Sequence, residues 1–403
     1  MSSAPTVLLV TRLIILIVML VSMSRHEFAR AQSNKYELEP VIEGLAKSWG
    51  LAVSADNTLF VSHREGDIGL YRISDKGTLT LIQILAFKPD DLLTGGQGGL
   101  LDIELHPDYA RSGWVYLSYS AGTDAANALK IVRFKVESSE ASNKPFQVSE
   151  LQTVFEAFDK KDTPVHYGAR MVFDAQGALL VTTGDGFDYR EQAQIKSSHL
   201  GKVLRMSDTG APHPGNPFFT GTNAPQDYIF TLGHRNPQGL ISTTDGLLVA
   251  HEHGPAGGDE INVLRVGENY GWPVITQGKD YIGATISPFT EYQGMRQPAV
   301  NWTPSIAPSG MVLYEGKQFE ELQNCLLVTS LKYQQIYVVR LGDVTQADAK
   351  GEIAEKSVGA STLLATPMAR LRDIVLDPSG QVWVLGDGTG DDKSTRIFRL
   401  SAE

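Results

Sequence analysis

The chain has one cysteine among its 403 residues, Cys325, so no intrachain disulfide is available to it. Cys325 lies in Leu322-Gln-Asn-Cys-Leu-Leu-Val328 and reads as a small buried hydrophobe in a strand. Outside the N-terminus no segment sustains a helical period, which argues against an α-helical bundle. Positive charge is also short: 35 Lys and Arg stand against 46 Asp and Glu, a net charge of −11, which argues against nucleic acid or an anionic membrane as a partner. With 42% apolar and 20% charged residues the composition is that of a folded globular chain, which excludes disorder. The 39 glycines fit a chain dense in turns.

One long apolar run exists, Leu13 to Met23, preceded by Arg12 and followed by Ala29-Arg30-Ala31. It is short for a membrane span and matches the apolar core of a secretory signal with a small-x-small cleavage site. The expectation is export, with residues 1–31 removed after Ala31; an uncleaved anchor is the rival. Cleavage would take away three arginines and one glutamate and move the net charge from −11 to −13. An exported chain without disulfides has to be held by its core, which favours a bacterial periplasm, with no stable membrane association after cleavage.

From residue 32 onward one unit recurs: a short apolar strand, an Asp/Gly or Pro/Gly turn, a second strand rich in Val and Leu, and a third after a polar loop. Six units begin near Gly50, Gly99, Ala169, Gly239, Gly310 and Leu371. None is large enough to bury its own faces, so radial repetition is expected: an all-β, six-bladed β-propeller with long inserted loops, one domain over 32–403. Two β-sandwich domains would need a central linker, and none is visible.

In a propeller the first strand of each blade lines the central channel, so the residues just before those strands should meet at one mouth. Those slots hold Gly95-Gly-Gln97-Gly-Gly99, His166-Tyr-Gly, His234-Arg235-Asn236, Asn301 to Ser309, and Arg370-Leu-Arg372-Asp373, with Lys332 between two strands of the fifth unit. Pro237 fixes its own φ and biases Asn236 toward extended geometry, so the loop presenting Arg235 and Asn236 is stiff. It reads as an anion or carbonyl recognition element, or equally as an Arg–carboxylate clamp. Arg235, Lys332, Arg370 and Arg372 together would form a cationic cluster in an acidic protein, and such a cluster requires counter-charge. Either internal carboxylates such as Asp373 supply it, or a ligand with several carboxylates or phosphates does; the acids in these slots are few, which favours the ligand.

His166 is a candidate general base, against the commoner alternative of a structural histidine. His251 and His253 share a strand face and would chelate a transition metal with Glu260, but a further ligand at clear spacing is missing. The run Gly254-Pro255-Ala-Gly-Gly-Asp-Glu260 instead offers backbone carbonyls and carboxylates suited to Ca²⁺, or is a surface turn.

Leu232-Gly-His-Arg-Asn-Pro-Gln-Gly-Leu240, His253-Gly-Pro255, Asp259-Glu-Ile-Asn262, Asn269-Tyr-Gly-Trp-Pro273, Trp302 to Ser309, Ser330-Leu-Lys332 and Arg370-Leu-Arg-Asp373, taken in order, resemble the soluble quinoprotein glucose/aldose sugar dehydrogenases. The resemblance runs from about Leu45 to the C-terminus. It implies a six-bladed propeller that carries pyrroloquinoline quinone (PQQ), a tricarboxylate, with Ca²⁺ at the channel mouth. By motif, Gln97, Arg235, Asn236, Lys332, Arg370 and Arg372 would bind the quinone, and the carbonyls of Gly254 and Pro255 would hold the Ca²⁺. Glu260 and Tyr270 match a second Ca²⁺ site of some members. His166 would take the proton of an aldose's C1 hydroxyl, giving an aldonolactone, and electrons would leave to a separate acceptor, since no haem-attachment cysteine pair is present. Residue 253 is His where the glucose-specific branch has Gln, and Val165 stands where that branch has Asp; both place the chain nearer the broader aldose dehydrogenases. Some relatives of this fold only bind, so a noncatalytic carbohydrate- or protein-binding propeller is one alternative, and a Ca²⁺-dependent lactonase another.

Overall fold

The same short turn joins the first and second strands of four blades, and its sequence explains why. In Ser54-Ala-Asp-Asn-Thr58 the Ser54 hydroxyl accepts the N–H of Thr58; Asp174, Thr243 and Asp377 accept from Ala178, Leu247 and Gln381 in the same way. The third turn residue after the cap sits at positive φ, which is why it is Asn57, Gly177, Gly246 and Gly380. A side chain that caps its own turn fixes the hairpin register, and the register decides which face of each strand is buried.

The computed structural model describes residues 35–139, 144–351, 361–365, 369–389 and 394–402. They form six four-stranded antiparallel sheets. The inner strands are Ser48–Val53, Leu100–Leu105, Met171–Phe173, Pro237–Ser242, Pro308–Tyr314 and Arg370–Leu376. Each packs beside the next and the last packs beside the first, closing the ring of a six-bladed β-propeller as expected. Closure is made by the N-terminal strand: Tyr36–Leu45 is the outermost strand of the sixth blade, antiparallel to Thr395–Ala402. Each blade therefore has a fourth strand that the three-strand pattern of the sequence does not contain. Four of these outer strands (Leu79–Ala86, Lys144–Glu156, Ile229–Leu232 and Val300–Trp302) follow irregular or short polar links, and the sixth is borrowed from the other end of the chain. A ten-residue helix, Leu341–Lys350, departs from the expected absence of sustained helix; it buries Val344 and Ala347 against the fourth and fifth blades. The proposed signal segment lies outside the described residues.

The cores lie between neighbouring blades; the largest joins Tyr116, Ile131, Met171, Val181 and Leu204 of the second and third. Across the channel a buried Arg170 ties three blades together, 2.9 Å from Asp102 and 2.8 Å from Asp373, with its guanidinium over the Trp49 ring. The register between the first two strands slips at the start of the inner strand in five blades, between Ser48 and Gly50, Leu100 and Ile103, Pro237 and Gly239, Pro308 and Met311, and Leu371 and Asp373. Such bulges re-aim side chains at the rim of a ring, and here they recur at one mouth of the channel.

Candidate active site

Two adjoining cavities occupy that mouth. The wider, about 850 Å³, is lined by His253, Gly254, Pro255, Tyr281, Lys332 and Arg370 among others; the inner, about 300 Å³, by Gln97, Asn236, Arg370 and Arg372, with Lys47 and Arg64. Loops that are far apart in sequence thus bring Gln97, Asn236, Lys332, Arg370 and Arg372 together, with Arg370 and Arg372 two apart on one strand and lining the same cavity, while Arg235 lines a small neighbouring pocket and His166 lines neither cavity.

His166 is 5% exposed and its backbone is left-handed, φ 52°, a conformation that costs energy for a non-glycine residue. Gln97 holds it there, its side-chain oxygen accepting the His166 N–H at 2.9 Å. The ring is not isolated: Nδ1 is 2.7 Å from Asp185 Oδ1, and the other oxygen of Asp185 accepts the Trp272 indole N–H at 2.8 Å. Nδ1 is thereby committed, leaving Nε2 as the nitrogen open to a substrate. Burial holds the imidazole below its ordinary pKa, partly offset by Asp185, so the ring is neutral at pH 7. Asp185 and Trp272 were not singled out from sequence; Trp272 lies within a recognised motif, but nothing local to Gly184-Asp-Gly186 marks that aspartate.

The loop carrying Arg235 is fixed by Glu252, which accepts the Arg235 N–H at 2.6 Å and lies 2.8 Å from His234 Nδ1. Arg235 is 5% exposed and its guanidinium has no carboxylate partner among the described residues. It donates to the Gly254 carbonyl at 2.8 Å and to His253 O and Tyr281 Oη, each at 3.3 Å. Asn236 spends its oxygen on the Gly168 N–H at 3.1 Å and lines the inner cavity. Lys332 is exposed, donates to the Ser305 carbonyl at 3.0 Å and lines the outer cavity.

Two expectations about counter-charge need correction. Asp373 does not neutralise the arginines beside it, because it turns into the channel toward Arg170 and accepts the Leu51 N–H. Arg372 has an acid of its own, Asp387 at 2.9 Å, on the adjoining strand. Arg370, by contrast, has no ion pair among the described residues, and burial followed by the nearby Arg372 lowers its pKa. The transition-metal arrangement is absent as well: His253 Nε2 lies against the Pro308 carbonyl at 2.6 Å, while Glu260 is on the other face, sharing the Asn262 amide with Glu252. Among the described residues no three His, Cys, Asp or Glu side chains form a metal cluster.

A hard cation would therefore depend on carbonyls. The carbonyls of His253 and Gly254 already point at a cation, the Arg235 guanidinium. Residue 254 must be glycine, since a Cβ there would lie 2.3 Å from the Gly257 and Gly258 carbonyls. Asp259, fully buried, fixes this turn by accepting the Gly254 N–H, and fixes the 305–307 loop through Ser305, Ile306 and Ala307. The Gly254 carbonyl is thus held in place facing the Arg235 guanidinium. Glu260 and Tyr270 line a small pocket with Glu252, and burial, then Glu252, pushes the Glu260 carboxyl well above its usual range. The Tyr270 hydroxyl is already committed, donating to Val263 O and accepting the Arg265 N–H, so its side chain is not available to a metal.

Against known proteins, the family model described as glucose/sorbosone dehydrogenase matches residues 45–398. The chain is 34% identical to the aldose sugar dehydrogenase YliI of Escherichia coli, over 87% of this chain and 90% of that one. It is 26% identical to quinoprotein glucose dehydrogenase B of Acinetobacter calcoaceticus, over 92% and 89% of the two chains. The solved PQQ-bound aldose sugar dehydrogenase of Streptomyces coelicolor superposes with a TM-score of 0.68 at 28% identity, covering 92% of this chain and 99% of that one. With a family model spanning nearly all of the propeller and these relatives matched over most of their length, the chain belongs to the glucose/sorbosone dehydrogenase family.

Proposed function

We propose that the protein oxidises aldose sugars at C1 to aldonolactones with PQQ and Ca²⁺. The observation that carries the proposal is a buried histidine, its Nδ1 locked by Asp185 and its ring within electrostatic reach of Arg235, which like Arg370 has no carboxylate partner among the described residues. At the channel mouth a tricarboxylate would be bound by Arg235, Asn236, Lys332, Arg370 and Arg372, with Gln97 holding both the loop and the base. PQQ, when bound, supplies a two-electron acceptor for the hydride that leaves C1. Nε2 of His166 takes the proton of the C1 hydroxyl, so that the C1–H pair is released as hydride and the carbonyl of the lactone forms. Asp185 stabilises the imidazolium that results, as a carboxylate on the far nitrogen does in other acid–base sites. The carbonyls of Gly254 and Pro255 would hold Ca²⁺, and Glu252 with Glu260 offers a second, carboxylate-rich place for one. Electrons pass to a separate acceptor, and the chemistry suits an exported, periplasmic protein.

The test is reconstitution of the apoprotein with PQQ and Ca²⁺, followed by dye reduction with a panel of aldoses. Turnover that needs both additions and is spread over several aldoses is expected. Bound PQQ without turnover on any aldose would favour a noncatalytic binding propeller, and lactone hydrolysis without PQQ would favour a lactonase.

A further inference from the structure

The first blade places two cations at the inner cavity that no recognised motif contains. Lys47 immediately precedes the inner strand Ser48–Val53, and Arg64 immediately follows its partner strand Thr58–His63; the Arg64 N–H donates to the Lys47 carbonyl at 2.7 Å. Arg64 is 9% exposed, and its Nε and Nη2 donate to the carbonyls of Gly98 and Gly96, each at 2.9 Å. Those carbonyls turn toward it because the loop is glycine; at Gly96, φ is +55° and a Cβ would lie 2.4 Å from the Pro164 carbonyl. Among the described residues the remaining guanidinium nitrogen, Nη1, makes no hydrogen bond, and neither Arg64 nor Lys47 has an ion-pair partner.

The charge balance of the cavity then follows. Lys47, Arg64, Arg370 and Arg372 line it with one carboxylate, Asp387, which is engaged by Arg372. Like-charge neighbours crowded this closely are unfavourable unless an anion joins them. Burial first, then neighbouring arginines, holds Lys47 and Arg64 below their ordinary pKa ranges, and Asp387 only partly offsets it.

We propose that Lys47 and Arg64 form a further carboxylate-binding element of the cofactor site, with Nη1 of Arg64 and the Lys47 ammonium as its donors. This rests on the PQQ reading above. Arg64 has a double task, since the same side chain shapes the glycine loop through which Gln97 holds His166. Lys47 makes no such structural contact, so the two residues separate charge from architecture.

The experiment is a fluorescence titration of the apoprotein with PQQ in the presence of Ca²⁺, at two ionic strengths, with thermal melts as a folding control. Lys47→Gln is expected to weaken PQQ binding several-fold and flatten its salt dependence while leaving the melting temperature in place. Arg64→Gln is expected to weaken binding by roughly tenfold or more, the loss of a charge-assisted hydrogen bond, with Arg64→Lys recovering much of it. PQQ binding equal to wild type in Lys47→Gln, or an Arg64→Lys variant as weak as Arg64→Gln, would overturn the assignment and leave Arg64 a purely structural brace. Should Arg64→Gln fail to fold, Lys47→Gln decides alone. Failure of the wild-type protein to bind PQQ would overturn the cofactor reading itself.

Discussion

At His166 the environment decides the chemistry. Desolvation lowers the pKa of the imidazole and Asp185 raises it, with desolvation the larger. The protonated, inactive form therefore appears only as pH falls below the ordinary histidine range of about 6.5, and the acid limb of kcat/KM should lie there. Replacing Asp185 by Asn removes a contribution that raises the pKa, so the acid limb should move to lower pH. The plateau should fall as well, by roughly a hundredfold or more, because the imidazolium formed in the reaction loses its counter-charge. A pH profile of kcat/KM for Asp185→Asn checks both; an acid limb that moved upward would contradict the geometry. His166, Arg235 and Lys332 were legible in the sequence because they sit in ordered motifs at blade entrances. Asp185 was not, because its role comes from a fold that brings residue 185 against residue 166, and Lys47 and Arg64 were not for the same reason. The neutralising role offered to Asp373 failed on a local fact: Arg372 lines the mouth and pairs with Asp387, while Asp373 pairs with Arg170 in the channel.

Elements hold these side chains through a few buried acids. Asp259 is the clearest: one carboxylate receives donors from the Gly254 turn and from three residues of the 305–307 loop, where the Ser305 carbonyl accepts from Lys332. Asp259→Ala would leave several buried N–H groups unsatisfied, at about 1–3 kcal/mol for each that finds no water. A lower melting temperature is expected together with weaker Ca²⁺-dependent PQQ binding, read by calorimetry and titration; a variant of unchanged stability and binding would show that the two loops hold their shape without it. The strand and turn pattern of the inner three strands was readable because period-2 alternation and capped turns are local. The outer strands were harder to read since half-exposed edge strands such as Leu79–Ala86 carry little alternation, and helix Leu341–Lys350 was hidden in a short polar-rich stretch.

For the whole molecule, ring closure depends on a strand from the far end of the chain. Tyr36 and Leu38, 3% and 5% exposed, pack into the sixth blade with Phe319, Leu371 and Phe398. Removing residues 1–45 would strip that blade of its outer strand and expose the edge of Thr395–Ala402. Such a truncation is expected to aggregate or to melt well below the chain that retains the strand; a truncated monomer of unchanged melting temperature would show that closure does not depend on Tyr36–Leu45. A sixfold ring was foreseeable from repetition, whereas the pairing of residue 36 with residue 402 was not, since no local pattern encodes a contact across the full length of the chain.

On the function proposed above the ring brings a base and a set of cations together, and that convergence is open to a direct test. PQQ should be titrated, with Ca²⁺ present, into the apoprotein and into His166→Ala, and sugar turnover measured on the same samples. One PQQ per chain with similar affinity in both, and turnover reduced by about 10²–10⁴-fold in the variant, is the predicted result. No saturable binding of PQQ, or a His166→Ala protein that oxidises aldoses as fast as the parent, would contradict it.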